Sequence, residues 1–235
     1  MKDTYSNFDK NDFCFQGLKI KLLGDSITHG VGDDGFCQNG APIVGNFARN
    51  PDGFCWAKLI KEYLETKYGC QVTNNACTGT TIEFILKNFD ALVSDEDDLI
   101  LCTIGTNNRH QNKSTGQKQN REEFAEAFCR NILNLNERFA ERNQKVIFVA
   151  NTPASKQNEQ DGDDYWRILH MNDINDIYKR ASASAGFPLI SMYDAFTDYI
   201  KENRIELNSL LADGLHPNDD GYKVMFGLLC RELGI

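Results

Sequence analysis

Short apolar runs alternate with one-sided helical patterns along the chain, and this alternation restricts the fold more than any other sequence feature. The run at residues 99–104 (LILCTI) is apolar throughout, as expected of a central parallel strand that is covered on both faces. Shorter runs at residues 18–23, 72–76, 146–150 and 189–192 predict four further strands. Helical patterns separate the runs, which predicts parallel strands joined by crossovers. We therefore predict an α/β fold, a three-layer α/β/α sandwich with a central, mostly parallel five-stranded sheet.

The domain organisation follows from the same pass along the chain. No internal repeat or linker-like stretch interrupts the pattern, so residues 18–235 are predicted to form a single domain, preceded by an N-terminal arm at residues 1–17. Helices are predicted where apolar residues recur at helical spacing, the last of them capped by Asn218 or Asp219. Residues 33–52 form the longest irregular segment, and loops of that length are usually functional or mobile.

Composition excludes several classes of protein. The 235 residues are 41% hydrophobic, which is typical of a globular domain and not of a disordered chain. The net charge of −9 argues against a nucleic-acid partner, because binding phosphates requires clustered Lys and Arg. No apolar run approaches the roughly 18 residues of a membrane span. The polar first fifteen residues do not resemble a secretory signal, so we expect no membrane partner and a cytoplasmic protein.

Eight cysteines invite a disulfide or zinc hypothesis. They form no CxxC pair and have no nearby histidine at ligand spacing, so we predict reduced structural thiols, no metal and no cofactor. A bridge from Cys37 to Cys14 or to Cys55 stays open for a protein exported by another route.

Four polar segments of the sequence are candidates for chemistry. Three follow predicted strands, where functional residues of open α/β sheets gather, and the fourth lies near the C-terminus. They are residues 24–28 (GDSIT), 75–80 (NACTGT), 105–108 (GTNN) and 212–218 (ADGLHPN). In this order they resemble the SGNH, or GDSL-type, esterase and lipase superfamily, which has GDS, glycine, GxND and DxxH blocks. Asn108 stands where that pattern usually has aspartate.

The residues themselves suit acyl transfer. Ser26 is the predicted nucleophile, because a serine at a helix start presents its hydroxyl beside free backbone N–H groups. His216 would take the serine proton and return it to the leaving alcohol. Asp213, three residues earlier, would hold the imidazole tautomer and stabilise the imidazolium. The structural alternatives are that Ser26 only caps a helix and that Asp213 only closes a turn.

The resemblance also implies an oxyanion hole. Its donors would be the backbone N–H groups of Ser26 and Gly79 and the side-chain amide of Asn107. Without the resemblance, Gly79 is a turn glycine and Asn107 a polar residue at a strand end.

The remaining candidates are expected to have structural roles. Asp25 is predicted to shape the loop around the serine. His29 and His110 are interpreted as solvated loop histidines near the mouth of the site, and His170 as part of a helix without a chemical role.

The predicted function is a serine esterase that hydrolyses short-chain carboxylic esters through an acyl-enzyme. We favour O-deacetylation of a carbohydrate or similar polar alcohol, since the acidic chain offers no basic amphipathic helix for lipid surfaces. Three alternatives remain: an O-acyltransferase on the same apparatus, a lysophospholipase or thioesterase, and a non-catalytic carbohydrate-binding module. The sequence leaves the oligomeric state open.

Overall fold

A computed structural model describes residues 5–10, 13–32, 43–44, 47–48 and 55–235 of the chain. The strands are β1 (Lys19–Gly24), β2 (Ile43–Val44), β3 (Phe47–Ala48), β4 (Gln71–Asn74), β5 (Leu99–Thr103), β6 (His110–Asn112), β7 (Lys145–Ala150), β8 (Tyr165–Arg167) and β9 (Leu189–Ser191). The α-helices are α1 (Ser26–His29), α2 (Trp56–Tyr68), α3 (Ile82–Lys87), α4 (Phe89–Leu92), α5 (Arg121–Glu141), α6 (Met171–Ala185), α7 (Met192–Asn203) and α8 (Asp219–Leu233). Short 3₁₀ turns lie at Thr106–Arg109, Lys113–Thr115 and Leu207–Leu210.

The central sheet has five strands in the order β4-β1-β5-β7-β9, and all neighbouring strands are parallel. Every residue of β5 is buried, which explains its uninterrupted apolar sequence. The strand order reverses direction between β1 and β5, and in such sheets the crevice at this point, beyond the carboxyl ends of the strands, is the usual ligand site. The predicted fold class is therefore confirmed, and the sheet directs two of the four polar segments to this crevice.

Helices cover both faces of the sheet and bury two apolar clusters. One cluster contains the inner sides of α2, α7 and α8, including Trp56, Phe196 and Tyr222. The other contains those of α3, α4, α5 and α6, including Phe139 and Tyr178. These five side chains are completely buried, and burying an aromatic or aliphatic side chain of this size contributes about 1.5–3 kcal/mol. The two clusters therefore stabilise the three layers that the sequence predicts.

One helix departs from the sequence-based prediction. Met192, expected at the end of the last strand, is the first residue of α7. The hydroxyl of Ser191 accepts a hydrogen bond from the Asp194 backbone N–H at 3.4 Å and so caps this helix. Met192, Ala195 and Phe196 then lie at helical spacing and are all buried. The chain changes from strand to helix within one residue, so the apolar run continues across the boundary.

The N-terminal arm covers the outer edge of β9. The backbone N–H of Ser191 donates to the Tyr5 carbonyl at 2.9 Å, and Asn7 Oδ1 accepts from the Leu189 backbone at 2.7 Å. This pairing satisfies backbone groups that an edge strand would otherwise expose.

Of the segment 33–52, the structure describes only β2 and β3, which pair antiparallel. The predicted role of the rest of that segment lies outside the described residues, as does Cys37.

Two further properties concern the described part of the chain only. None of its helices has the length and apolar character to cross a membrane. Its cysteines are all free thiols: Cys14, Cys55, Cys70, Cys77, Cys102, Cys129 and Cys230.

Candidate active site

Ser26 lies at the start of α1, immediately after β1, and is 4% exposed. The tight turn before it requires Gly24, because a Cβ there would lie 2.2 Å from Thr28 Oγ1 and 2.8 Å from the Thr103 carbonyl oxygen. The helix cap is Asp25, whose Oδ1 accepts from the Ile27 backbone at 3.0 Å. The alternative that Ser26 itself is the cap is therefore wrong, and its hydroxyl is available for another partner.

The hydroxyl of Ser26 meets His216 although 190 residues separate them. His216 Nε2 lies 2.8 Å from Ser26 Oγ, and His216 Nδ1 lies 2.7 Å from Asp213 Oδ2. A carboxylate only accepts hydrogen bonds, so Nδ1 is the protonated nitrogen and Nε2 is left to accept from the serine. The structure thus brings Ser26, His216 and Asp213 together in the order that nucleophile, base and orienting acid require.

Asp213 has two roles in this loop. Its Oδ1 accepts from the backbone N–H groups of Leu215 and His216, at 3.0 and 2.9 Å, while Oδ2 accepts from the imidazole. Burial raises the pKa of this carboxyl, but the hydrogen bonds from His216 outweigh it and hold the pKa below its usual value. The aspartate closes the turn and stays ionised beside the imidazole, so the two interpretations of its role are compatible.

The turn with Gly79 is attached directly to the serine segment. The Cys77 backbone N–H donates to the Gly24 carbonyl at 3.2 Å, and the Thr78 backbone N–H donates to His29 Nδ1 at 3.2 Å. Gly79 has a φ of +81°, which favours glycine. Within the described part of the chain, the backbone N–H groups of Ser26 and Gly79 donate to no other protein group. Both donors remain available for an oxyanion.

The side chain of Asn107 connects the third segment to this turn. Its Nδ2 donates to the Thr80 carbonyl at 2.9 Å, which occupies one of the two amide hydrogens and fixes the side chain. Asn108, the departure from the family pattern, makes different contacts, since its Oδ1 accepts from the Ile82 backbone at 3.0 Å and its Nδ2 donates to Glu83. Asn108 therefore holds the start of α3, and this substitution leaves the predicted oxyanion donors intact.

Replacing Asn107 with alanine should lower kcat about 10²–10³-fold, because one oxyanion donor is lost in the transition state. The hydrogen bond to the Thr80 carbonyl is lost as well, which lowers the free energy of unfolding by about 1 kcal/mol. Steady-state kinetics on p-nitrophenyl acetate and thermal unfolding separate the two effects. Asn134→Ala, at an exposed position of α5, is the matched control. An unchanged kcat in Asn107→Ala would show that this amide does not contact the oxyanion.

Behind the serine lies a buried polar network that the sequence did not reveal. Asn151 follows β7, and its Nδ2 reaches Asp25 Oδ2 at 3.2 Å and Thr106 Oγ1 at 2.6 Å. Burial raises the pKa of Asp25, and its hydrogen bonds to Thr106 and Ile27 oppose this. The network joins the residues that follow β1, β5 and β7, and it includes Asp25, the residue next to Ser26. The position of Asn151 at the end of a predicted strand was the only sequence signal for it.

The other histidines differ in part from the sequence-based interpretation. His29 is 2% exposed within α1, where it fixes Thr78, so the prediction of a solvated loop residue is wrong. His110 begins β6 half-buried, with its ring centroid 5.1 Å from that of Tyr165. Burial and then the nearby Arg167 and Arg109 lower the pKa of His110. His170 is exposed, directly precedes α6 and takes no part in the hydrogen bonds of the triad.

No group of three or more His, Cys, Asp or Glu in the described ranges is arranged to hold a metal ion.

The chain is similar to known proteins both in sequence and in fold. A sequence profile of the GDSL-like Lipase/Acylhydrolase family matches residues 22–224. No curated protein is similar enough in sequence to match. Among solved structures, the chain is similar to Axe2, an acetylxylan esterase from Geobacillus stearothermophilus, at 19% identity over 94% of this chain and 95% of Axe2, with a TM-score of 0.68. It is also similar to LAE5, an alpha/beta hydrolase enzyme from the metagenome of Lake Arreo, Spain, at 22% identity over 93% and 96% of the two chains, with a TM-score of 0.67.

At these identities the solved structures support the fold, whereas the profile covers most of the sequence, from β1 into α8. The protein therefore belongs to the GDSL-like lipase/acylhydrolase family and is an SGNH serine hydrolase that acts on ester bonds.

Proposed function

We propose that the protein removes acetyl groups from the hydroxyls of a carbohydrate, with Ser26 as the nucleophile. The observation that carries this proposal is the continuous hydrogen-bonded path from Ser26 Oγ through His216 to Asp213, at 2.8 and 2.7 Å. Catalytic mutants of Axe2 replace a serine, an aspartate and a histidine, the last two three positions apart, as Asp213 and His216 are.

The reaction follows from the positions of the donors and acceptors. Ser26 Oγ attacks the ester carbonyl carbon while its proton moves to His216 Nε2. The carbonyl oxygen becomes an oxyanion, which accepts hydrogen bonds from the backbone N–H groups of Ser26 and Gly79 and from Asn107. His216 then protonates the leaving alcohol. Water, deprotonated by the same imidazole, attacks the acyl-enzyme and releases the carboxylic acid and free Ser26.

Two considerations support an acetyl group on a sugar. Axe2 acts as an acetylxylan esterase and is also described as an acetyl-xylooligosaccharide esterase. The net charge of −9 disfavours the anionic surface of a membrane as the place of reaction. The substrate is then a neutral, hydroxyl-rich ester, and neither a membrane nor a nucleic acid is a partner in the reaction.

A panel of esters tests this proposal. Purified protein and Ser26→Ala are compared on p-nitrophenyl acetate, butyrate and octanoate, on acetylated xylo-oligosaccharides and on a lysophospholipid. We expect kcat/KM to fall from acetate to octanoate, and acetate to be released from the oligosaccharides only by the protein with Ser26. Preference for octanoate or for the lysophospholipid would contradict it. Transfer of acetyl to added unacetylated xylotetraose, in place of release to water, would favour the O-acyltransferase.

A further inference from the structure

A polar cleft adjoins the triad and is lined in part by Asp213. It has a volume of about 590 Å³ and lies between residues 155–165, which follow β7 and end at the first residue of β8, and residues 208–214. Ala212, Asp213 and Gly214, from the loop that presents His216, form part of its wall. Asp213 thus links the wall of the cleft to Ser26 through His216, by hydrogen bonds of 2.7 and 2.8 Å.

The wall of the cleft is firmly held. The Ser155 backbone N–H donates to the Gly214 carbonyl at 2.8 Å, and a Cβ on Gly214 would lie only 2.5 Å from Ser155 Oγ. Arg109, which is 1% exposed, donates to Glu159 Oε2 and to Asn158 Oδ1, both at 2.9 Å. A buried arginine with two fixed partners restrains this segment, so the cleft is largely formed before any ligand arrives.

The side chains lining the cleft suit a neutral ligand with many hydroxyls. Gln157, Gln160 and Asn208 line it and are exposed, and among the described residues their amides bond to no other protein group. Each amide both donates and accepts, as sugar hydroxyls do. Tyr165 adds an aromatic ring. Among the residues that the structure describes, the lining contains carboxylates, such as Asp161, but no lysine or arginine, which disfavours anionic ligands. Its polar groups disfavour an acyl chain.

The side of Ser26 on which the alcohol leaves relates this cleft to the substrate. His216 Nε2 protonates the leaving oxygen, so the alcohol part of the ester lies on the imidazole side of Ser26. The Asp213 loop lies on that side and forms part of the wall of the cleft. We propose that the cleft binds the glycosyl units next to the acetylated one, so that the enzyme prefers an oligosaccharide to a single sugar. This inference rests on the proposed deacetylase function, because it assigns the alcohol part of that substrate.

Substitution of the three amides tests the cleft. Gln157→Ala, Gln160→Ala, Asn208→Ala and their combination are assayed on acetylated xylotetraose and on p-nitrophenyl acetate, which has no glycosyl units. Gln71→Ala, an exposed glutamine at the opposite end of the sheet, is the matched control. In the triple variant, the ratio of kcat/KM for xylotetraose to that for p-nitrophenyl acetate should fall about tenfold through KM, as the loss of a few hydrogen bonds predicts. An unchanged ratio in the triple variant would overturn the proposal.

A binding measurement separates failure of the cleft from failure of the proposed function. Unacetylated xylohexaose is titrated into Ser26→Ala, with and without the three cleft substitutions, and followed by calorimetry. Binding that the cleft substitutions abolish supports the cleft even if acetylated xylo-oligosaccharides are not hydrolysed. No binding to Ser26→Ala, or binding that the substitutions leave intact, would overturn the cleft even if deacetylation is observed.

Discussion

Ser26→Ala should lower kcat for p-nitrophenyl acetate by about 10⁴-fold or more, because the acyl-enzyme can no longer form. The residual rate then comes from substrate binding and the oxyanion donors. Ser26 Oγ is hydrogen-bonded to His216 Nε2, so the folded protein loses one hydrogen bond, and its free energy of unfolding falls by about 1 kcal/mol. The midpoint of thermal unfolding should therefore change little while activity disappears.

Ser114→Ala is the control for this substitution, since Ser114 is an exposed serine in the Lys113–Thr115 turn. It should retain the full rate. Comparable activity in Ser26→Ala and Ser114→Ala would refute the assignment of the nucleophile.

Asp213→Asn should reduce kcat by about 10³–10⁴-fold with a smaller change in KM. An amide can donate to His216 Nδ1, which favours the tautomer with hydrogen on Nε2, and this tautomer cannot accept the serine proton. The variant also lacks the negative charge that stabilises the imidazolium. Because the pKa of Asp213 is below its usual value, the wild-type carboxylate is ionised throughout the neutral range, and its contribution disappears only as acid protonates it. The difference in kcat between the wild-type protein and Asp213→Asn should therefore be fully present at neutral pH.

Asp220→Asn is the matched control, since Asp220 is an exposed acid in the first turn of α8 that pairs with Lys223. It should leave kcat unchanged. If Asp213→Asn retained the wild-type kcat at neutral pH, the carboxylate would be a turn residue without a role in catalysis.

The layers of the fold, and the convergence of Ser26 with His216 and Asp213, could be predicted because their signals are local or are ordered along the chain. The run at residues 99–104 is apolar because β5 is covered on both faces, and the parallel sheet follows from its alternation with helices. Ser26 and His216 are conspicuous because each lies in a short polar segment with glycine or aspartate at a fixed spacing.

The supporting contacts could not be predicted, because they join segments that only the fold brings together. His29 has no sequence feature that distinguishes a buried partner of Thr78 from a solvated loop histidine. Arg109 is one of many charged residues in the sequence, and only its burial against Glu159 reveals its role in the wall of the cleft. Asn151 likewise acquires its partners, Asp25 and Thr106, from strand order.

Covalent trapping measures directly whether a single serine, activated by one imidazole, performs the chemistry. The protein is treated with a fluorophosphonate ester, and its peptides are analysed by mass spectrometry at timed intervals. We expect one adduct, on the peptide that contains Ser26, and labelling slowed about 10²–10⁴-fold in His216→Ala, because general-base assistance is lost. An adduct on a different residue, or equally fast labelling of Ser26 in His216→Ala, would contradict this mechanism.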